Sequence, residues 1–194
     1  MKRLFGDGQQ EQTTLVRSEL AAADPAKVAG PWAHIAALGI PYIKALGFDR
    51  VSEDMLVVTS NGQSVICGQT GDIIYRNRDE DGFDAEALKG TRLDHPANER
   101  FDMAGPFGGG LRTRLKDGWK VEQLDQYRVL TPALGSIHFR GPSWDGQDHD
   151  DTFHLLDRSG DSLQVLGFSW TGRTLVCATS KTLNIWARPA PLTL

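Results

Sequence analysis

The stretch Met55-Leu56-Val57-Val58-Thr59-Ser60-Asn61-Gly62-Gln63-Ser64-Val65-Ile66-Cys67-Gly68 reads as two strands around one turn. Met55 to Ser60 is an apolar run of strand length. Asn61-Gly62 is the strongest short hairpin signal, because both central positions of such a turn favour positive φ. The chain returns as a strand over 63–68, turns again at Thr70-Gly71-Asp72, and forms a third strand over 73–76. These three segments predict an antiparallel meander.

Working outward, the C-terminal part has the same texture. Strands are expected at 152–156, 163–168, 174–179 and 183–188, with turns at Arg158-Ser159-Gly160-Asp161 and Trp170-Thr171-Gly172. Two more strands are expected near 119–130 and 136–140. An internal echo links the two regions. Gly47-Phe48 and Gly167-Phe168 are followed at equal distance by Met55-Leu56-Val57-Val58-Thr59-Ser60 and Leu175-Val176-Cys177-Ala178-Thr179-Ser180. A degenerate duplication and two strands solving one packing problem both account for it.

The N-terminal side reads differently. Thr13 to Ala23 carries Leu15, Val16, Leu20 and Ala23 at helical spacing. Asp24-Pro25 supplies a cap and a first-turn proline. Pro31 and Pro41 break the pattern, which predicts short helices at 26–29, 32–38 and 42–46, ended by Gly39 and Gly47. The expected fold class is therefore α+β and mainly β, with short N-terminal helices followed by antiparallel meanders. A polar tail over 1–12 precedes one globular domain over 13–194, made of a helical cap at 13–47 and a β-rich body at 48–188.

Composition limits the functions. The 194 residues are 40% hydrophobic and 24% charged, a globular balance. The net charge of -4 argues against a general nucleic-acid binder, which needs a basic face. No run approaches the roughly 20 apolar residues of a membrane helix. Met1-Lys2-Arg3-Leu4-Phe5 gives way at once to Gly6-Asp7-Gly8, without the apolar segment of a signal peptide. Cytoplasmic location is the expectation. Cys67 and Cys177 lie in apolar strand-like runs and read as small buried hydrophobes.

Three segments could carry chemistry. In Ser143-Trp144-Asp145-Gly146-Gln147-Asp148-His149-Asp150-Asp151-Thr152-Phe153-His154, four carboxylates and two imidazoles sit close together. His149, His154 and Asp151, joined by His138 if neighbouring strands pair, would suit a divalent transition metal. The other reading is a solvated acidic loop. Asn77-Arg78-Asp79-Glu80-Asp81-Gly82 resembles the first half of a calcium loop, but its twelfth position is Leu88 where a bidentate carboxylate is needed. The alternative there is an acidic turn into a short helix capped by Asp84 and ended by Gly90. Ala104-Gly105-Pro106-Phe107-Gly108-Gly109-Gly110-Leu111-Arg112 invites a phosphate-cradle reading, yet no helix follows and Lys-Ser or Lys-Thr is missing. A close-packed bend is the expectation.

Residues 166–186, with Phe168-Ser169, Gly172-Arg173, an apolar strand and Trp186, resemble one blade of a WD-repeat propeller. Further blades at the roughly 40-residue period do not follow, so the resemblance implies a meander. In general style the chain also resembles bacterial immunity proteins. That resemblance implies a non-enzymatic protein-binding domain that occludes a toxin's active site. Asp145, Asp148, Asp150 and Asp151 would steer the encounter, while Trp144 and Trp170, both at turns, would be buried on contact. No cofactor is required. The alternative is a metal-dependent hydrolase built on His138, Asp148, His149, Asp151 and His154, in which a metal-bound water becomes the nucleophile. A ligand-sensing domain using the Gly105–Gly110 bend is a third possibility.

Overall fold

The computed structural model describes residues 17–26, 28–94, 100–132 and 153–189. Among the described residues a single helix, α1, covers 17–22. In chain order the strands are β1 (Val28–Ala29), β2 (Trp32–Gly39), β3 (Ile43–Phe48), β4 (Asp54–Thr59), β5 (Gly62–Cys67), β6 (Ile73–Asn77), β7 (Phe83–Asp84), β8 (Lys89–Thr91), β9 (Arg100–Asp102), β10 (Lys120–Leu124), β11 (Tyr127–Thr131), β12 (His154–Asp157), β13 (Leu163–Phe168), β14 (Thr174–Thr179) and β15 (Thr182–Ala187). All described pairings are antiparallel. The chain divides into two compact units, one of Met1–Ala26 with Lys116–Gly160 and one of Lys27–Leu115 with Asp161–Leu194.

The larger unit holds three sheets, ordered β3-β4-β5-β6, β1-β2-β15-β14-β13 and β7-β8-β9. Two of them repeat one design. Ile43, Asp54 and Gly62 open β3, β4 and β5, while Leu163, Thr174 and Thr182 open β13, β14 and β15, a constant offset of 120 residues. The first strand of each set carries a bulge at the same place, between Ile43 and Ala45 and between Leu163 and Val165. The turn bonds also correspond: Asp49 N–H donates to Asp54 O at 2.9 Å, and Ser169 N–H to Thr174 O at 2.9 Å. The echo in the sequence thus marks a repeated three-stranded meander.

A fourth strand completes each set. β6 follows β5 directly. β15 instead takes β2, from the opposite end of the chain, and the match extends to a bulge between Val65 and Ile66 in one pairing and between Ile185 and Trp186 in the other. This is where the sequence expectation fails. The short helices expected at 26–29, 32–38 and 42–46 are strands, β1, β2 and β3, so among the described residues the helical cap expected at 13–47 reduces to α1 alone. Ala33, Ala36 and Ala37 are good helix formers. Their propensity is outweighed by the edge of β15, whose backbone groups need partners once buried. The helix expected after Asp84 is absent for a similar reason. Asp84 does accept the N–H groups of Glu86 and Ala87, both at 3.0 Å. The segment stops there because Leu88 turns to φ 51° and Gly90 lies inside β8, paired with Phe101 of β9.

β4 and β14 are continuous apolar runs because both faces are covered. One core joins Leu46, Phe48, Met55, Val57 and Ile66 of the first set to Val165, Val176, Ala178, Leu183 and Ile185 of the second. A second core packs Ala45, Leu56, Val58 and Val65 against Phe101 and Met103. Trp186 is buried, and Cys177 is buried in β14 while Cys67 is half-buried. The hairpin that motivated the fold is shifted by one residue: Thr59 pairs with Gly62, so Ser60 and Asn61 make the turn, and only Gly62 has positive φ, 98°. Thr182, its counterpart, needs no such freedom; Gly62 is held to glycine because a Cβ there would lie 2.1 Å from Asn77 O.

Two other glycines let the chain pass against the first strand of each set. A Cβ on Gly47 would lie 2.5 Å from Asp102 O, and one on Gly167 would lie 2.8 Å from Arg112 O. There Leu46 bridges Ala104, and Phe168 bridges Arg112.

The smaller unit is the sheet β10-β11-β12 with α1 beside it. Leu20 of α1 packs on Tyr127, Val129 and Leu155. Arg158 Nη1 donates to Ala21 O at 3.0 Å and Ala23 O at 2.9 Å, answering carbonyls at the helix end. Where one strand is expected near 119–130 the chain forms two, β10 and β11, paired as a hairpin. The strand expected at 136–140 lies outside the described residues. Among the described residues no helix is long and apolar enough to cross a membrane.

The close approaches give a direct expectation. Gly47→Ala and Gly167→Ala each destabilise by about 1–3 kcal/mol through overpacking. Gly39→Ala, where a Cβ meets nothing within 4 Å, changes stability by no more than about 0.5 kcal/mol. Denaturant unfolding of the three variants measures the contrast.

Candidate functional site

Of the residues singled out in the sequence, Trp144, Asp145, Asp148, His149, Asp150, Asp151 and His138 lie outside the described residues. Trp170 and His154 are described, one in each unit.

Trp170 sits in the β13–β14 turn, half-buried. Part of it packs against the shared core. Two guanidinium groups approach its ring, with Arg50 Cζ 5.1 Å and Arg112 Cζ 4.9 Å from the centroid. Arg112 Nη1 also donates to Trp170 O at 3.1 Å. The sequence places these partners far apart: Arg50 is in the β3–β4 turn and Arg112 follows the glycine run.

Both turns are fixed internally. The Asp49 carboxylate accepts N–H of Val51 at 2.7 Å and of Ser52 at 2.6 Å. Burial pushes its pKa up, but these bonds outweigh it and hold the carboxyl below the usual range. Ser169 Oγ accepts Thr174 N–H at 3.2 Å, and Thr171 Oγ1 accepts Arg173 N–H at 3.2 Å. A buried carboxylate then ties the two turns together. Glu53 is 6% exposed and accepts hydroxyl protons from Thr171 and from Thr174, the latter at 2.5 Å. Gln69 joins this clamp, donating to Arg173 O at 3.2 Å and accepting from Arg173 Nη2 at 3.1 Å.

Beside Trp170 opens a cleft of about 270 Å³. Its apolar lining includes Phe48 and Phe168, counterparts in the two repeated sets, with Leu88, Met103 and Leu111. Gly109 and Gly110 form part of the rim, and Lys89, Asp102 and Arg112 supply charge. Asp102 bonds Lys89 and, at 2.8 Å, Arg50. The Lys89 and Arg50 bonds hold its carboxyl below the usual range, so it stays ionised. Around the ring and cleft, Arg50, Lys89 and Arg112 therefore face one carboxylate, in a chain whose net charge is -4. Leu88, on the wall, has φ 51°, which is uncommon for a bulky side chain and costs backbone energy.

The glycine run forms the expected bend. Gly105 and Gly108 exchange N–H···O bonds at 2.9 and 3.0 Å. Gly109, at φ 73°, would place a Cβ 2.2 Å from Met103 O. The calcium-like loop satisfies itself. Asn77 Oδ1 accepts N–H of Asp79 at 2.8 Å and of Glu80 at 3.1 Å, and Lys44 Nζ donates to Asp81 at 2.9 Å. An ammonium thus neutralises the carboxylate that the resemblance would give to a cation.

His154 opens β12 opposite Leu130 and stacks on Trp119, with ring centroids 6.3 Å apart and planes 27° from parallel. Burial lowers its pKa below the ordinary 6.5. Among the described residues no group of three or more His, Cys, Asp and Glu side chains is placed to hold a metal.

Trp170 and the Gly-to-Arg112 run were legible as candidate features. Arg50, Lys89 and Asp102 were not, since each lies in an ordinary charged context. The usable clue was Phe48 echoing Phe168, which marks the two strands that meet at the cleft. The sequence matches no protein-family model and no curated protein.

The stacked imidazole sets a pH dependence. A base whose folded pKa is depressed is penalised once the unfolded chain begins to bind its proton. Its contribution is complete above about pH 6.5 and is lost as pH falls through the lower folded value. Thermal melts between about pH 7.5 and 5 should show His154→Phe, which keeps the stack, losing less stability than the wild type.

Proposed function

We propose that this chain is a non-enzymatic binding domain that engages a protein partner through the face around Trp170. The observation that carries the reading is Trp170 itself, seated on the core and flanked by the guanidinium groups of Arg50 and Arg112. Tryptophan and arginine dominate binding hot spots, because a rigid aromatic already in place loses little entropy on contact. Val51, 87% exposed in the same turn as Arg50, extends the apolar part of the surface.

Toxin neutralisation is the specific form of this reading that the acidic sequence supports. Asp145, Asp148, Asp150 and Asp151 would steer a basic active site toward the domain by long-range attraction. The metal-dependent hydrolase is the competing reading, and its one described member, His154, favours the uncharged form that metals bind. Elemental analysis of the purified chain separates the two. Stoichiometric transition metal lost in His149→Ala and His154→Ala favours the hydrolase.

For the binding reading, the chain is co-expressed with the product of the adjacent gene. The expected result is relief of growth arrest and a stable complex. Trp170→Ala should weaken that complex by about 2 kcal/mol or more while leaving the melting temperature of the free chain within a few degrees. Equal affinity in the variant removes the Trp170 face from the interface.

A further inference from the structure

We infer that the cleft between Phe48 and Phe168 is a binding site for a small free aromatic carboxylate. The inference deepens the binding-domain reading by assigning an occupant to the cleft beside Trp170. Four observations converge. First, the site stands where the two repeated strand sets meet, with the counterpart residues Phe48 and Phe168, each 1% exposed, in its lining. Such a position gives a fixed apolar floor. Second, its volume of about 270 Å³ lies near the lower end of small-molecule sites, which run from roughly 300 to 1,000 Å³. That suits one ring with a short acid. Third, the charge is cationic and unevenly committed. Lys89 and Arg50 share Asp102, whereas no described carboxylate forms an ion pair with Arg112. The Arg112 guanidinium, 4.9 Å from the Trp170 ring and bonded through Nη1 to Trp170 O at 3.1 Å, would offer its other N–H groups to a single carboxylate. Fourth, the wall carries a costly backbone conformation: Leu88, a bulky non-glycine residue, at φ 51°. Strain of this kind persists where the surrounding structure enforces a shape, and it clusters at ligand sites.

The ring of the ligand would lie against Leu88, Leu111 and Trp170, the half-buried apolar residues of the lining, with its carboxylate toward Arg112 and Lys89. The same chemistry could arrive on the C-terminus of a partner chain, so the experiment separates the two sources. The purified full chain is titrated with phenylacetate, phenylacetamide, acetate and the tripeptide Gly-Gly-Phe, followed by calorimetry and tryptophan emission. Phenylacetate should bind at least tenfold more tightly than phenylacetamide, which lacks the charge, and than acetate, which lacks the ring. Arg112→Met should lose at least tenfold in phenylacetate affinity and Lys89→Met a smaller factor. Asp102→Asn, which removes the one negative charge, should bind more tightly.

Equal binding of the acid and the amide overturns the inference, as does no binding of either, and neither outcome depends on how any variant folds. Tighter binding of Gly-Gly-Phe than of phenylacetate overturns the assignment to a free acid. Phenylacetate binding is measured with no other protein present. Phenylacetate binding together with no complex in the co-expression test leaves the cleft assigned and defeats the partner reading; a complex without phenylacetate binding defeats the cleft assignment alone.

Discussion

The larger unit depends on two places where backbone runs against backbone with no side chain between. At Gly47 and at Gly167 the first strand of each repeated set admits a second segment so closely that a methyl group would overlap a carbonyl oxygen. Everything near the cleft follows from that contact. Asp102 and Met103 are drawn against β3, and Leu111 and Arg112 against β13. The glycine bend between them is the short path that satisfies both. The Glu53 clamp adds the complementary restraint, fixing the β3–β4 and β13–β14 turns so that Arg50 and Trp170 meet.

Much of the β-structure was legible because its signals are local. The run Met55 to Val58 is buried and the exposed turn after it is closed by neighbouring residues, so short-range pattern and final state agree. The same holds for β13 to β15. β2 was misread because its alanines favour helix while its actual partner, β15, lies at the far end of the chain. No window of sequence contains both. Pro31 and Pro41, taken as helix punctuation, in fact bracket an extended segment.

The site was legible only in part, for a related reason. Trp170 announced itself as an aromatic at a turn, and Arg112 as a charge after glycines. Lys89 and Asp102 are surface charges like many others until β8 and β9 pair and set them side by side. The carboxylates and imidazoles near 145–151, the densest polar signal in the sequence, lie outside the described residues. Of that cluster His154 alone is described, and its neighbour is the Trp119 ring.

The pairing of β2 with β15 has a consequence for how the chain is made. β2 ends at Gly39 and its partner begins at Thr182, so the ribosome must add the whole intervening length before that edge can close. At roughly 5–20 residues per second this takes on the order of ten to thirty seconds. Throughout that interval the β3-to-β6 set can form from residues already synthesised, while β2 has only the two residues of β1 along one side and its β15 edge stays open. The nascent chain therefore carries an open edge late into synthesis, a period in which chaperone capture competes with pairing between neighbouring copies.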